Sequence, residues 1–350
     1  MNYLRLLLFP FSLVYGFVVW VRNRFYDCGW KKSTSFSIPT IGIGNLEVGG
    51  SGKTPLTEYL IRNLSPKYKI ATLSRGYGRK TRGFRWVGVH DEVSLVGDEP
   101  LQMKQKFPDI SVSVCESRVE GIHQLQKNHD LVLLDDAFQH RAATLGYHIL
   151  VFDYNHLAYP KLLLPAGNYR DLFSERKRAD LIVISKCPTF MSMDERVKIN
   201  YQMVNNGQKV IFSSIKYADN LQQIITGETM KLSSIQQETK VLLITGIAKP
   251  QPLLTELRKY TNYITHHFYS DHHQFSKKNM LKLVEEFEKL PSGNKIIITT
   301  EKDATRLNTA ENKSYIINLP VYQLPIEVCF LDNDKAVFDQ SIKEYVTSDK

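Results

Sequence analysis

An apolar run containing Ile38, Thr40, Ile41 and Ile43 leads into Gly49-Gly50-Ser51-Gly52-Lys53-Thr54, and the next apolar residues, Leu56, Tyr59, Leu60 and Leu64, recur at helical spacing. A strand, a glycine-rich turn and a helix in that order leave a chain few folds. The glycines let successive backbone N–H groups face phosphate oxygens, a lysine at position 53 reaches the β/γ-phosphates, and the Thr54 hydroxyl can ligate Mg²⁺. Pro55 stands at an early helical position, where its missing N–H costs little. Gly49, Gly50, Ser51, Gly52, Lys53 and Thr54 are therefore expected to cradle a nucleoside triphosphate. The pattern departs from GxxxxGK[ST] at its first glycine, where this chain has Glu47. The plain alternative is a glycine-rich turn with an incidental lysine.

Strand-like runs at Ile70–Ser74, Ile110–Val114, Leu131–Leu134, His148–Phe152, Leu181–Ser185 and Val210–Ser213 alternate with helical ones. Such alternation predicts an α/β fold of P-loop NTPase type, with a mainly parallel sheet and helices on both faces. Ligands in these sheets sit beyond the carboxyl ends of the strands. Residues 216–240 are polar and glutamine-rich, and a fresh strand series starts at Val241 and continues at 263–267, 296–300 and 321–324. The expected organisation is an N-terminal segment over 1–30, a P-loop domain over 31–214, a linker or hairpin over 215–240, and a second, smaller α/β domain over 241–350.

The 350 residues carry a net charge of +9, which favours an anionic partner, either nucleic acid or an acidic membrane surface. Position decides between them. Leu6–Val21 is almost wholly apolar or aromatic and is flanked by Arg5, Arg22, Arg24, Lys31 and Lys32. The run is about 16 residues long against the ~20 that a spanning helix needs, and Pro10 interrupts its start. A helix lying in the membrane interface is expected, with the basic residues on anionic headgroups. A buried core helix and a cleaved signal peptide are the alternatives, and no small-residue A-x-A site follows for the latter. Cys28, Cys115, Cys187 and Cys329 are scattered without a CxxC pair, as ordinary thiols in a reducing compartment would be.

Leu131–Leu134 ends in Asp135-Asp136, the form of a buried strand that delivers a carboxylate to Mg²⁺; a strand-end turn with capping acids is the alternative. Val96-Gly97-Asp98-Glu99-Pro100 supplies a second acidic pair, in which Asp98 could equally be a helix N-cap. Arg75-Gly76-Tyr77-Gly78-Arg79-Lys80 forms a basic loop after a strand, able to approach an anionic substrate through Arg75 and Arg79 or simply to face solvent. His266, His267, His272 and His273 could suggest a metal site, but adjacent histidines point apart and no cysteine lies near them.

Gly44-Asn45-Leu46 leading into Gly49–Pro55 resembles the tetraacyldisaccharide 4'-kinase family of lipid A biosynthesis. Ser74–Gly78, Gly97–Pro100, Leu134–His140, Leu164–Gly167, Ser270–His273 and Thr300–Ala304 are similar to that family's blocks, in order and over nearly the whole chain. The resemblance implies transfer of the ATP γ-phosphate to the 4'-hydroxyl of a tetraacylated glucosamine disaccharide 1-phosphate at the cytoplasmic face of a Gram-negative inner membrane. It further implies Asp98 as the base, His272 as its dyad partner and Glu99 near the metal, with Thr54, Asp135 and Asp136 completing the Mg²⁺ side and Lys53 on the phosphates. A monomer that binds the lipid A precursor and no nucleic acid is expected. A membrane-attached GTPase switch is the rival class; the [NT]KxD-type acid it needs is replaced by Pro188 in Ser185-Lys186-Cys187-Pro188.

Overall fold

The computed structural model describes residues 3–205 and 207–348; the few others, at the outer ends of the expected 1–30 and 241–350 units and at 206, lie outside it. Eight strands form in succession: β1 (Thr40–Gly44), β2 (Ile70–Ser74), β3 (Arg85–Trp86), β4 (Ser111–Val114), β5 (Leu131–Asp135), β6 (Tyr147–Asp153), β7 (Leu181–Ser185) and β8 (Lys209–Tyr217). Then come β9 (Asn220–Gln223), β10 (Thr229–Lys231), β11 (Lys240–Thr245), β12 (Ile264–Phe268), β13 (Lys295–Thr300), β14 (Val321–Leu324) and β15 (Ile326–Phe330).

Nine strands make the first sheet in the order β15-β8-β7-β6-β1-β5-β2-β4-β3, and six make the second in the order β10-β9-β14-β13-β11-β12. The first sheet is parallel except at its two edges, β3 against β4 and β15 against β8. Its central strands are buried along their whole length, as β1, β5 and β7 are, because helices cover both faces. β1 pairs with β5 on one side and β6 on the other, so the strand order reverses at β1. The crevice beyond its carboxyl end is where such sheets hold ligands.

The domain limits read from the sequence need correction in one place. Of the two readings of the polar stretch before Val241, the hairpin is the one that forms: β9 and β10 pair antiparallel, and β9 also pairs with β14 in the second sheet. Residues 326–348, however, leave the C-terminal unit. β15 pairs along β8, and the helix Asp334–Ser348 buries Phe338, Ile342 and Val346 in the core beneath the first sheet. The chain thus crosses between the sheets twice, and the crossings are tied by the bond from Ala218 N to Pro325 O (2.9 Å).

The N-terminal run is a helix, Phe9–Asp27, with Pro10 in its first turn rather than interrupting it. Together with the turn before it, the span Arg5–Asp27 covers 23 residues and is long and apolar enough to cross a membrane by length and composition, more than the apolar run alone suggested. Ser12, Gly16, Val19 and Asn23, spaced one stripe down the helix, are buried against residues 162–171. Gly16 allows this approach, because a Cβ there would stand 2.7 Å from Leu163 Cδ1. The Ser12 hydroxyl donates to Leu163 O (3.0 Å) and accepts from Ala166 N (2.9 Å), Tyr15 donates to Arg170 O (2.9 Å), and Asn23 donates to Asp171 (2.9 Å). The opposite face exposes Phe11, Leu13, Val14, Phe17, Val18 and Trp20. The helix is thus docked along one stripe and leaves the rest of its apolar surface exposed.

Candidate active site

After β1 the chain turns at Gly49 and Gly52, whose φ values of +105° and +92° suit glycine, and Gly52 caps the helix Lys53–Leu64. The missing first glycine has a structural reason. Leu46–Val48 does not turn; it runs beside residues 168–170, with Arg170 N bonded to Leu46 O (2.8 Å) and Val48 N to Asn168 O (2.9 Å). The buried Glu47 carboxylate is partnered by His156 Nδ1 at 2.8 Å, and His156 Nε2 lies 3.3 Å from Lys249 Nζ of the second domain.

Lys53 Nζ donates to Asn45 Oδ1 (3.1 Å) and lies 3.5 Å from Asp136 Oδ1. Asp136, the left-handed residue after β5 (φ +52°), also takes both Nη atoms of Arg170, one of them at 2.8 Å. Burial opposes ionisation of Asp136, but Arg170 and Lys53 outweigh it and hold the carboxyl below the usual range. Asp135 has the reverse balance. Burial, then the charges of Glu99 and Asp136, push it up to about 7 against the pull of Lys53, and its Oδ1 has no protein partner. Ser51 Oγ, Asn45 Nδ2 and Arg170 Nε are likewise buried and unpartnered. Orphaned donors and acceptors gathered around a glycine-rich turn are what a polar anionic ligand and its cation would satisfy. Among the described residues no three His, Cys, Asp or Glu side chains form a metal cage. Mg²⁺ needs none, since one or two carboxylates plus phosphate oxygens and water suffice, and the Asp135, Glu99 and Thr54 oxygens fit that donor set.

Two of the residues named from sequence stand far apart in the chain and meet here. Asp98 opens the helix Asp98–Lys106, with Gly97 in the cap position, so the capping alternative for Asp98 does not hold. His272 follows β12 in the second domain, and its Nδ1 lies 3.0 Å from Asp98 Oδ2 across 174 residues of sequence. Burial would raise the Asp98 pKa, but Arg306, Lys302 and His272 together hold it below the usual carboxylate value. Asp98 is therefore ionised at neutral pH. Glu99 beside it bonds Lys302 Nζ (2.6 Å). The parallel strands of the second sheet bring their carboxyl ends to Asp98: β11 runs into Gly246, β12 leads to His272, and β13 runs into the helix Glu301–Leu307, which carries Arg306.

The basic loop after β2 divides. Arg75 is exposed, and its charge together with burial and Arg118 lowers His140 to about 4, so that imidazole is neutral. Arg79 differs: its side chain is only 2% exposed, and its Nη2 pairs with Glu116 (2.8 Å) and Gly83 O (2.7 Å), which ties the loop together. The four histidines do not assemble, since His266 bonds Thr245 and His267 lies near Glu286. Sequence reasoning missed Arg170, Arg118 and Arg306. Arg170 and Arg306 had a signal, their places just after the Leu164–Gly167 and Thr300–Ala304 blocks; Arg118 had none.

The profile of the tetraacyldisaccharide-1-P 4'-kinase family matches residues 4–347. Relatives called tetraacyldisaccharide 4'-kinase include one from Flavobacterium psychrophilum, 42% identical over 354 residues (99% of this chain, 98% of the relative). Another, from Phocaeicola vulgatus, is 41% identical over 345 residues (97% and 94%). Among solved structures, the "apo" form of LpxK from Aquifex aeolicus in complex with ATP superposes with a TM-score of 0.76 at 26% identity, covering 98% of this chain and 99% of that one.

Proposed function

This chain belongs to the tetraacyldisaccharide-1-P 4'-kinase family, and on that premise we propose how its residues divide the work. It is an ATP-dependent lipid kinase of lipid A biosynthesis, transferring the γ-phosphate of ATP to the 4'-hydroxyl of a tetraacyl disaccharide 1-phosphate. The reading of its site rests on one observation above the others: the Asp98 and His272 pair, 3.0 Å apart, beside Glu99, whose charge reaches Asp135 next to Lys53.

Phosphoryl transfer asks for positioning and charge neutralisation more than covalent chemistry. The N–H groups of Gly49–Gly52 and the Lys53 ammonium bind the triphosphate. Thr54, Asp135 and Glu99 would hold Mg²⁺, while Asp136, already committed to Arg170 and Lys53, keeps the lysine aimed. Bound there, Mg²⁺ would neutralise charge on the β- and γ-phosphate oxygens. Asp98 accepts the proton of the 4'-hydroxyl. A carboxylate of low pKa suffices, because in a loose transition state the attacking oxygen becomes acidic only late. His272 Nδ1–H donates to Asp98 and orients it. Arg75, exposed at the mouth, meets the substrate phosphate. The bare face of helix Phe9–Asp27 seats the enzyme on the cytoplasmic leaflet of the inner membrane, where the acceptor's acyl chains lie, and the chain acts there as a monomer.

The test is incubation of the enzyme with Mg²⁺, γ-labelled ATP and the tetraacyl disaccharide 1-phosphate in detergent micelles, with chromatography of the lipid. Label at the sugar 4'-position is expected, and Lys53→Ala and Asp98→Asn should each lose it while melting like the parent. Hydrolysis without labelled lipid would overturn the reaction; near-normal turnover by Asp98→Asn would remove Asp98 as base.

A further inference from the structure

We infer that Arg306 is the positioning residue through which the second domain completes the catalytic pair. The inference rests on the base assignment of Asp98 made above and adds to it the group that makes the pair conditional on domain docking.

Arg306 is among the largest side chains that are wholly buried. Its Nη1 donates to Asp303 Oδ1 (3.1 Å) and to Gly246 O (3.2 Å). Its Nη2 donates to Asp98 Oδ2 and lies 3.0 Å from His272 Nδ1. Asp303 in turn accepts from Gly246 N (2.9 Å) and Thr300 Oγ1 (2.7 Å). One guanidinium thus joins the helix after β13, the turn after β11 and the histidine loop after β12, all in the second domain, to the first residue of helix Asp98–Lys106 in the other.

The two ends of the guanidinium serve different partners. The Arg306 and Asp303 pair is three residues apart on one helix, so it exists before the domains meet. The remaining edge is a planar donor whose geometry suits a carboxylate, and Asp98 takes it. Arg306 Nη2 and His272 Nδ1 approach each other because both are turned on the same Asp98 oxygen. The other oxygen, Oδ1, accepts from Glu99 N (3.1 Å) and faces the start of the helix.

His272 cannot hold its own orientation by packing, since its side chain is 45% exposed. It sits in the left-handed region at φ +59°, and its N–H bonds Gly246 O (3.1 Å), the same carbonyl that Arg306 Nη1 contacts. Arg306 therefore fixes the imidazole twice, through the turn that carries its backbone and through the oxygen that receives its proton. Two further ion pairs cross between the same helices, Lys302 with Glu99 and Lys106 with Glu301, but both reach solvent in part. Of these three ion pairs, Arg306's is the one that touches the dyad.

The experiment compares full-length wild type, Arg306→Met, Arg306→Lys, His272→Gln and the Arg306→Met/His272→Gln double variant in the labelled-lipid assay, with ATP affinity by titration and a melt for each. Misplacing a base by an ångström costs on the order of 100-fold, so Arg306→Met should lose about that in kcat while the KM for ATP moves less than about twofold. Arg306→Lys should recover part of kcat, and the double variant should be no slower than Arg306→Met alone, because both changes remove one function. Losses that multiply in the double variant, or ATP affinity that falls with kcat, would mean a staple of the fold and overturn the inference while leaving the base assignment standing. If Arg306→Met does not fold, Arg306→Lys and its double with His272→Gln carry the same two criteria. Near-normal turnover of Asp98→Asn would sink both readings together.

Discussion

Gly52→Ala is the sharpest probe of the phosphate cradle. Gly52 has φ +92°, and a Cβ built on it stands 2.4 Å from Ser185 Oγ, 3.3 Å from Ser185 Cβ and 3.9 Å from Ile215 Cδ1. An L-residue in the left-handed region costs roughly 1–2 kcal/mol, and forcing a methyl into a packed wall costs typically ~1–3 more. The sum, about 2–5 kcal/mol, must appear somewhere. If the loop keeps its geometry the protein loses that much stability; if the loop relaxes, the N–H groups turn from the phosphates and ATP binding weakens about tenfold per 1.4 kcal/mol. Ser185 Oγ has no hydrogen-bond partner, so Ser185→Ala removes the closest contact without a polar cost. The double variant should regain the packing part and keep the backbone part, ~1–2 kcal/mol. ATP titration and urea unfolding on wild type, Gly52→Ala, Ser185→Ala and the double variant read both terms. Gly52→Ala with unchanged affinity and unchanged unfolding midpoint would refute the cradle geometry, and a double variant equal to wild type would refute the backbone term.

Phe17→Glu, on the bare face of the N-terminal helix, should lower partition onto anionic vesicles at least about tenfold, since Phe17 is 64% exposed and burying such a ring is worth about 1.5–3 kcal/mol. Its ATP affinity should not change, and an unaltered vesicle-bound fraction by sedimentation would refute the lipid-facing assignment. The point change is preferable to deleting residues 1–24, which would also strip Ser12, Tyr15 and Asn23 from residues 163–171. Glu58, on the P-loop helix, is pushed up to about 7 by burial and by Glu301, against Lys106 and Arg62. A folded-state pKa above the ordinary 4.5 means the folded chain binds more protons between about 4.5 and 7, so stability falls as pH rises through that window, by at most about 1.4 kcal/mol per pH unit. Glu58→Gln should flatten this slope in urea unfolding from pH 5 to 8; parallel curves would contradict it.

What the sequence disclosed was whatever is local. The strand, loop and helix around Lys53 depend on neighbours within a dozen residues, and each buried strand of the first sheet announces itself as an apolar run. The meeting of Asp98 with His272 came only from the family resemblance, since no spacing rule links residues 174 apart. β15 and the helix Asp334–Ser348 were placed in the wrong unit because an edge strand and an amphipathic helix read the same whichever sheet they join. Arg79 and Arg306 show the same limit at the level of one side chain. A basic residue in a glycine-rich loop reads as a substrate contact, and one inside TEKDATR reads as surface charge; in the fold both guanidiniums are buried in carboxylate company.

The route of the chain explains why so much of the site is built from distant pieces. Each sheet brings the carboxyl ends of its parallel strands toward helix Asp98–Lys106, the first bringing the glycine-rich loop and Asp135-Asp136, the second bringing His272 and Arg306. Neither sheet holds a complete set. Helix Asp98–Lys106 stands between them, with two acids in its first turn, where the helix dipole favours them. It belongs to the first domain by packing and to the second by charge, since Asp98, Glu99 and Lys106 pair with Arg306, Lys302 and Glu301. The segment that docks the N-terminal helix also carries Arg170, which holds Asp136 beside Lys53. The N-terminal helix and the second sheet therefore each reach the reacting centre through one arginine, the half-buried Arg170 and the wholly buried Arg306. In a reaction whose barrier is lowered by placement, those two arginines set the distances that matter, Asp136 beside Lys53 and Asp98 beside His272.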